Sequence, residues 1–186
     1  MNYNEQRLKN FIKPHVLRGR DGDWNHAKRV VKWVKKLGYK RNDLPLLITA
    51  GYIHDIGWRD VLPHQKLSFE KLLKYEGEAN AKSEPNIHEL LGQRDYSEVE
   101  ISTVLRLVRA ADKHESQTDS EAIIVDADNL SKLDINHLKE KFKKKEWHNM
   151  HNLWRKEFPT RIKTSKGKKL YPSLLKKLSE DIKKSS

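Results

Sequence analysis

Apolar residues recur three and four positions apart along most of the chain, and no stretch alternates convincingly with the period of two that a half-buried strand needs. The first helical run covers about 3–13 and stops before Pro14, because the residue preceding a proline is disfavoured in the helical region. The loop RGRDGDWN leads into a helix over about 24–37. His26, Val30, Trp33 and Leu37 form its inward stripe, and Gly38 follows as a C-terminal stop. Asp43 suits the cap of the next helix, with Pro45 in its first turn, and this apolar segment, LLITAGYIHD, ends near Gly57. A helix over about 65–76 turns Leu72 and Tyr75 inward. Residues 77–96, with turn residues and mixed polarity, read as loop with one turn of helix. Ser97 and Glu100 form a capping box for a helix that carries Ile101, Val104, Leu105 and Val108 and runs out near His114. After the polar stretch ESQTDS, a helix over about 121–133 carries Ile123, Ile124, Ala127 and Leu130 around Asp126 and Asp128. A basic helix covers about 137–157. A loop with Pro159 and Gly167 follows, and the last helix begins near Pro172 with Leu174, Leu175, Leu178 and Ile182 on one side. The expected fold is all-α, a single-domain helical bundle over residues 1–186.

Composition narrows the chemistry. The 186 residues fit one domain, and 36% hydrophobic against 34% charged residues is polar but short of a disordered composition. There is no cysteine, so disulfides and thiolate metal sites are excluded and any metal must be held by nitrogen and oxygen. No run approaches the roughly 20 apolar residues of a membrane span, and MNYNEQRLKN lacks the apolar core of a signal peptide. The expectation is a cytoplasmic protein with no membrane partner. Of the net charge of +12, residues 139–186 supply nearly all: they hold 16 Lys and Arg against 5 Asp and Glu, whereas residues 1–138 hold 22 against 21. Such an end can attract phosphates or nucleic acid, and equally it can be a solvated lysine-rich helix face.

Residues 51–58, GYIHDIGW, raise the sharper question. Two ionisable side chains, His54 and Asp55, close an apolar helix, and burying them costs free energy unless something pairs them. His26 sits on a core-facing stripe, and Asp128 sits among apolar or small residues. Singly, each has an ordinary reading: a hydrogen-bonded core histidine, or an aspartate that caps or faces water. Together they offer two imidazoles and two carboxylates from separated helices, a set that suits Mn²⁺, Fe²⁺, Co²⁺, Ni²⁺ or Zn²⁺, and Mg²⁺ less well.

The order H…HD…D resembles the HD-domain superfamily of metal-dependent phosphohydrolases. The resemblance includes the HDIG form of the central motif (His54, Asp55, Ile56, Gly57), the opening H-x-x-R-V from His26 to Val30, and D-A-D-N-L from Asp126 to Leu130. It covers about residues 22–135 and extends weakly through Thr164, Gly167 and Lys168. The resemblance implies an all-helical fold around a divalent metal held by His26, His54, Asp55 and Asp128, with His54 and Asp55 at the catalytic centre. It also implies hydrolysis of phosphomonoesters or phosphodiesters. His64 and His114 resemble positions that hold a second ion in dinuclear members, so one or two ions per chain are expected; as plain residues both suit helix ends. Trp58 is the third residue after Asp55, where some nucleotidases place a glutamate, and no G-Y-P follows the motif.

The leading expectation is therefore a phosphohydrolase acting on a nucleotide or another small phosphorylated metabolite. The alternatives are a phosphodiesterase on cyclic nucleotides or short RNA, and a non-catalytic nucleic-acid-binding domain that uses the basic C-terminal part. Arg29, three residues after His26, is a candidate contact for substrate phosphate, or else a helix-surface salt bridge. Asp126 is a candidate to orient a ligand histidine, or else faces water. His88 lacks the partner of an H-E-x-x-H motif, and His148 with His151 lacks a third ligand, so these read as surface residues. KFKKKEW interleaves lysines with Phe142 and Trp147, as some nucleic-acid surfaces do, though an amphipathic helix with inward aromatics is the commoner case.

Overall fold

Local caps set most of the helix starts, and buried stripes decide how far the helices run. The chain's computed structural model describes residues 3–62 and 68–185. The described residues form nine α-helices and two short 3₁₀ turns, with no strand. Asn4 caps α1 (Glu5–Val16) by accepting from the Arg7 amide at 2.9 Å. This helix does not stop before Pro14. The proline is exposed, while Ile12 and Val16 on the opposite face are buried and hold the last turn in place. α2 (Asp23–Leu37) follows as expected; α3 (Leu44–Ile53) starts after Asp43 as expected but ends at Ile53, short of the stop expected near Gly57, and is buried from Leu47 to Ile53. Asp43 occupies the N-cap position of α3 without capping it. Its carboxylate takes Arg41 in a two-pronged pair at 2.8 and 3.0 Å and the Ser120 hydroxyl, charge-assisted partners that outcompete a backbone amide.

The largest departure lies after the central motif. In place of a short helix and a loop stands one helix, α4 (Phe69–Gly92), of 24 residues; residues 65–67 of the expected helix lie outside the described residues. Its buried stripe is Ala79, Ser83, Ile87, Leu90 and Leu91, helical in spacing but begun by small and polar residues that give little hydrophobic signal. Tyr75 does not face inward but is 40% exposed. α5 (Glu98–Lys113) starts at the expected capping box of Ser97 and Glu100. α6 (Asp119–Lys132) starts earlier than expected, because Thr118 and Glu121 make a second such box.

The basic region is broken rather than continuous. α7 (Ile135–Lys141) ends where Phe142 turns extended. A 3₁₀ turn (Lys144–Glu146) follows, and then α8 (Trp147–Arg161), which passes through Pro159. The break lets both Phe142 and Trp147 enter the core, and the Trp147 indole donates to the Phe142 carbonyl at 3.3 Å. α9 (Ser165–Ser185) begins well before Pro172, because Thr164 caps it: the Gly167 amide donates to its hydroxyl at 2.9 Å. Besides a small cluster of Trp58, Leu62 and Ala79, two large buried clusters result. One gathers α1, α2, α3, the end of α4 and α5 with the first half of α6; the other gathers the end of α6 with α7, α8 and α9. α6 belongs to both, and Trp33 and Leu37 pack against both. Among the described residues, no helix is long and apolar enough to cross a membrane.

Candidate metal centre

Three elements bring the four motif residues to one point. His26 lies in the first turn of α2 on its buried face, and Asp128 lies mid-helix in α6. His54 is the C-cap of α3, and Asp55 follows at φ −91°, ψ 10°, where the chain leaves the helix for a 3₁₀ turn (Ile56–Trp58). Successive residues of a regular helix diverge by about 100°, so the end of the helix allows His54 and Asp55 to turn the same way. His26 Nε2 stands 3.1 Å from Asp128 Oδ1 and 3.8 Å from Asp55 Oδ2. His54 Nε2 stands 3.6 Å from Asp55 Oδ2 and 3.8 Å from Asp128 Oδ1. Ligand atoms of His26, His54 and Asp128 all lie within 4.8 Å of one another, and all three residues are buried; this group could hold a metal ion.

The hydrogen bonds behind the imidazoles determine which nitrogens face the centre. His54 Nδ1 is 3.0 Å from the Gly51 carbonyl, which can only accept, so Nδ1 carries the proton. Nε2 then bears a lone pair, and it is buried with no hydrogen-bond partner. The Ser131 hydroxyl donates to the Asp128 carbonyl at 2.8 Å, so its oxygen accepts from His26 Nδ1 at 3.1 Å. His26 Nε2 therefore also presents a lone pair, and it points at a carboxylate oxygen. Burial holds the His26 pKa down to about 3 against the pull of Asp128, so near neutrality the ring is uncharged. Two imidazole lone pairs and the Asp128 carboxylate converge without a proton to share, and a divalent cation among them would satisfy all three; Asp55 stands beside this group and is not part of it.

The group forms part of the wall of a cavity of about 540 Å³. Arg20, Lys132, Lys141 and Arg161 also line it. Arg20 reaches Asp55 Oδ2 at 2.7 Å, is paired with Asp23 at 3.1 Å, and lies over the Trp58 ring at 4.1 Å. Lys141, itself buried, pairs with Asp23, and Lys132 meets Asp128 Oδ2 at 2.6 Å. Burial alone would raise the Asp55 and Asp128 carboxyls; Arg20 beside the first and Lys132 beside the second outweigh it and hold both well below the usual range. His137 lines the cavity too, its ring edge-on to His26 at 4.9 Å. Asp112 is exposed by area, but the surface it shows lies toward this cavity and a smaller adjoining one. None of Arg20, Asp23, Lys132, Lys141, His137 or Asp112 stood out in the sequence. Charged residues in a glycine-rich loop, at helix ends or in a lysine-rich region carry no periodic signal.

The other candidates fall as follows. His114 is the left-handed C-cap of α5 and lines the cavity with Nδ1 buried and unpartnered, but it is not in the ligand group. Burial lowers its pKa to about 4. His64 lies outside the described residues. Arg29 does not line the cavity; it is paired with Glu140 at 2.8 Å. His88 and His148 are exposed and His151 is half-buried. Asp126 neither orients a histidine nor faces water. It is fully buried and accepts from the Lys163 amide at 2.6 Å and from the Thr164 amide and hydroxyl at 2.9 and 2.5 Å. Comparison with models of known families, with curated proteins and with solved structures finds no match.

Proposed function

We propose that this chain is a metal-dependent phosphohydrolase acting on a nucleotide or another small phosphorylated metabolite. The observation that carries this reading is the convergence of two imidazole lone pairs and the Asp128 carboxylate, with Asp55 beside them, on a cavity that also presents basic side chains. The resemblance to the HD-domain superfamily rests on the same four residues. A divalent ion bound there would activate a water for attack and polarise a phosphoryl oxygen. The chain's own groups supply the rest. Gly51 and Ser131 hold the two tautomers, and Arg20 positions Asp55. Arg20, Lys132 and Lys141 offset the negative charge that develops on the transferred phosphoryl group.

The reading is tested by adding Mn²⁺, Co²⁺ or Ni²⁺ to purified protein and measuring phosphate release from a panel of mononucleotides and sugar phosphates. At least one should turn over, and Asp55→Ala, checked for folding by its melt, should lower that turnover by about a hundredfold or more. A folded protein that releases phosphate from no member under any metal sinks the proposal. The nucleic-acid reading draws less support from the geometry. Phe142 and Trp147 are buried, so the run Lys143, Lys144, Lys145 has no exposed aromatic beside it on which bases could stack.

A further inference from the structure

The cavity has two kinds of wall. The His/Asp group lies against Arg20, Lys132 and Lys141. The same cavity is also lined by Phe69, Leu72 and Leu73 from the first turn of α4 and by Met150, Leu153 and Trp154 from α8. Phe69 and Leu72 lean on the buried cluster that contains Trp154, and the Phe69 amide is 3.4 Å from Glu146 in the turn before α8. Leu73 is a large apolar side chain left 50% exposed, and Leu153 and Phe69 are half-buried, so among the described residues this wall is not closed. A volume of about 540 Å³ lies within the range of sites that enclose a small organic ligand.

We propose that this apolar wall is the specificity subsite of the cavity. In this reading it holds the flat, apolar body of a phosphate ester while the phosphate lies against the basic side chains and the His/Asp group. The occupant is a mononucleotide-sized ester rather than a sugar phosphate or inorganic phosphate. The polar end is the His/Asp group itself: Arg20, Lys132 and Lys141 are each already paired with Asp23, Asp55 or Asp128, so a phosphate there would be held by an ion bound in that group, with the donors those pairs leave over beside it. The assignment also gives α8 a role within the basic C-terminal quarter: its apolar face builds the substrate wall. The subsite depends on the phosphohydrolase reading only for what sits at its polar end.

The test compares adenosine 5′-monophosphate, ribose 5-phosphate and inorganic phosphate, titrated calorimetrically into the protein with Mn²⁺ and again in EDTA. Adenosine 5′-monophosphate should bind at least about tenfold tighter than ribose 5-phosphate, because base stacking on aromatic and apolar side chains contributes on that scale. Leu153→Ala and Phe69→Ala should each remove most of that advantage while shifting ribose 5-phosphate less than about twofold. Leu73→Asn is the variant least able to disturb folding, and it should weaken the nucleotide in the same direction. Equal affinities for the three ligands, no nucleotide binding in either condition, or variants that weaken all ligands alike overturn the subsite. Nucleotide binding with this pattern but no turnover of any ester sinks the hydrolase reading and leaves the subsite standing. Turnover of all esters alike, unaffected by the variants, does the reverse.

Discussion

At Gly57 a methyl group would stand 2.1 Å from the carbonyl oxygen of Ala79, so this position tolerates no side chain while α4 keeps its place. As sequence, Gly57 reads as the stop that ends a helix. In the structure α3 has already ended at Ile53, and the glycine instead permits the close approach of α4 to the turn that follows Asp55. Gly57→Ala should therefore cost stability at the upper end of about 1–3 kcal/mol, read as a shift in the urea midpoint, and should weaken metal binding because the displaced turn carries Asp55. An unchanged midpoint would show that α4 can yield without cost. Trp58, the third residue after Asp55, is the platform under Arg20. At this scale His26, His54 and Asp128 were legible as candidates because each is ionisable on a segment whose inward stripe is otherwise apolar or small. Arg20 and Lys141 were not, because a charged residue in a loop or a lysine-rich run is unremarkable until its partner is known.

Among the elements, α9 depends on one buried carboxylate. Asp126 lies two residues before Asp128 on α6, so it projects to another side, and there it receives the two amides and the hydroxyl that begin α9. A methyl on Gly167 would come 2.2 Å from Asp126 Oδ2, so this glycine serves the same contact. Burial pushes the Asp126 carboxyl up, against the pull of those three donors. Asp126→Ala should destabilise the fold by about 3 kcal/mol, since it leaves buried donors without an acceptor. Hydrogen exchange should show the α9 amides losing protection first; uniform loss across the molecule would mean that Asp126 supports the whole core instead. Helix starts with side-chain caps, such as Ser97 with Glu100, were readable locally. The full length of α4 and the break at Phe142 were not, because they depend on what Ala79, Ser83, Phe142 and Trp147 pack against.

Across the whole molecule, α6 ties the two large buried clusters together and carries Asp128 to their junction with α2 and α3. The centre should make stability depend on pH in one direction. His26 titrates near 6.5 when unfolded and at about 3 when folded, so between those values the unfolded chain binds a proton that the native chain lacks. Stability then rises with pH across that window and is lost on acidification. Asp55 and Asp128, held low in the folded state, contribute stability above about pH 4 that is lost as pH falls further. A metal bound to neutral imidazoles adds about 2.7 kcal/mol at a hundredfold excess over its dissociation constant, an effect that fades as protons compete for the same nitrogens. Thermal melts at pH 7.5, 6 and 5, with Mn²⁺ and with EDTA, should show both trends. A metal shift of equal size at all three pH values would argue against ligation by His26 and His54.

The sequence by itself determined the helical class, the absence of thiolate chemistry, the capping box at Ser97 and the candidacy of His26, His54 and Asp128, which the fold brings within reach of one another. These are carried by local signals: spacing, residue type and polarity against neighbours. Only the tertiary structure decided which charges face one another. His26 meets Asp128 across 102 residues of chain and Lys141 meets Asp23 across 118, and no periodicity encodes partners that distant. It also decided that α4 and α8 share a cavity with the candidate metal centre, because apolar side chains left uncovered by the core become visible as a wall only once the helices have packed.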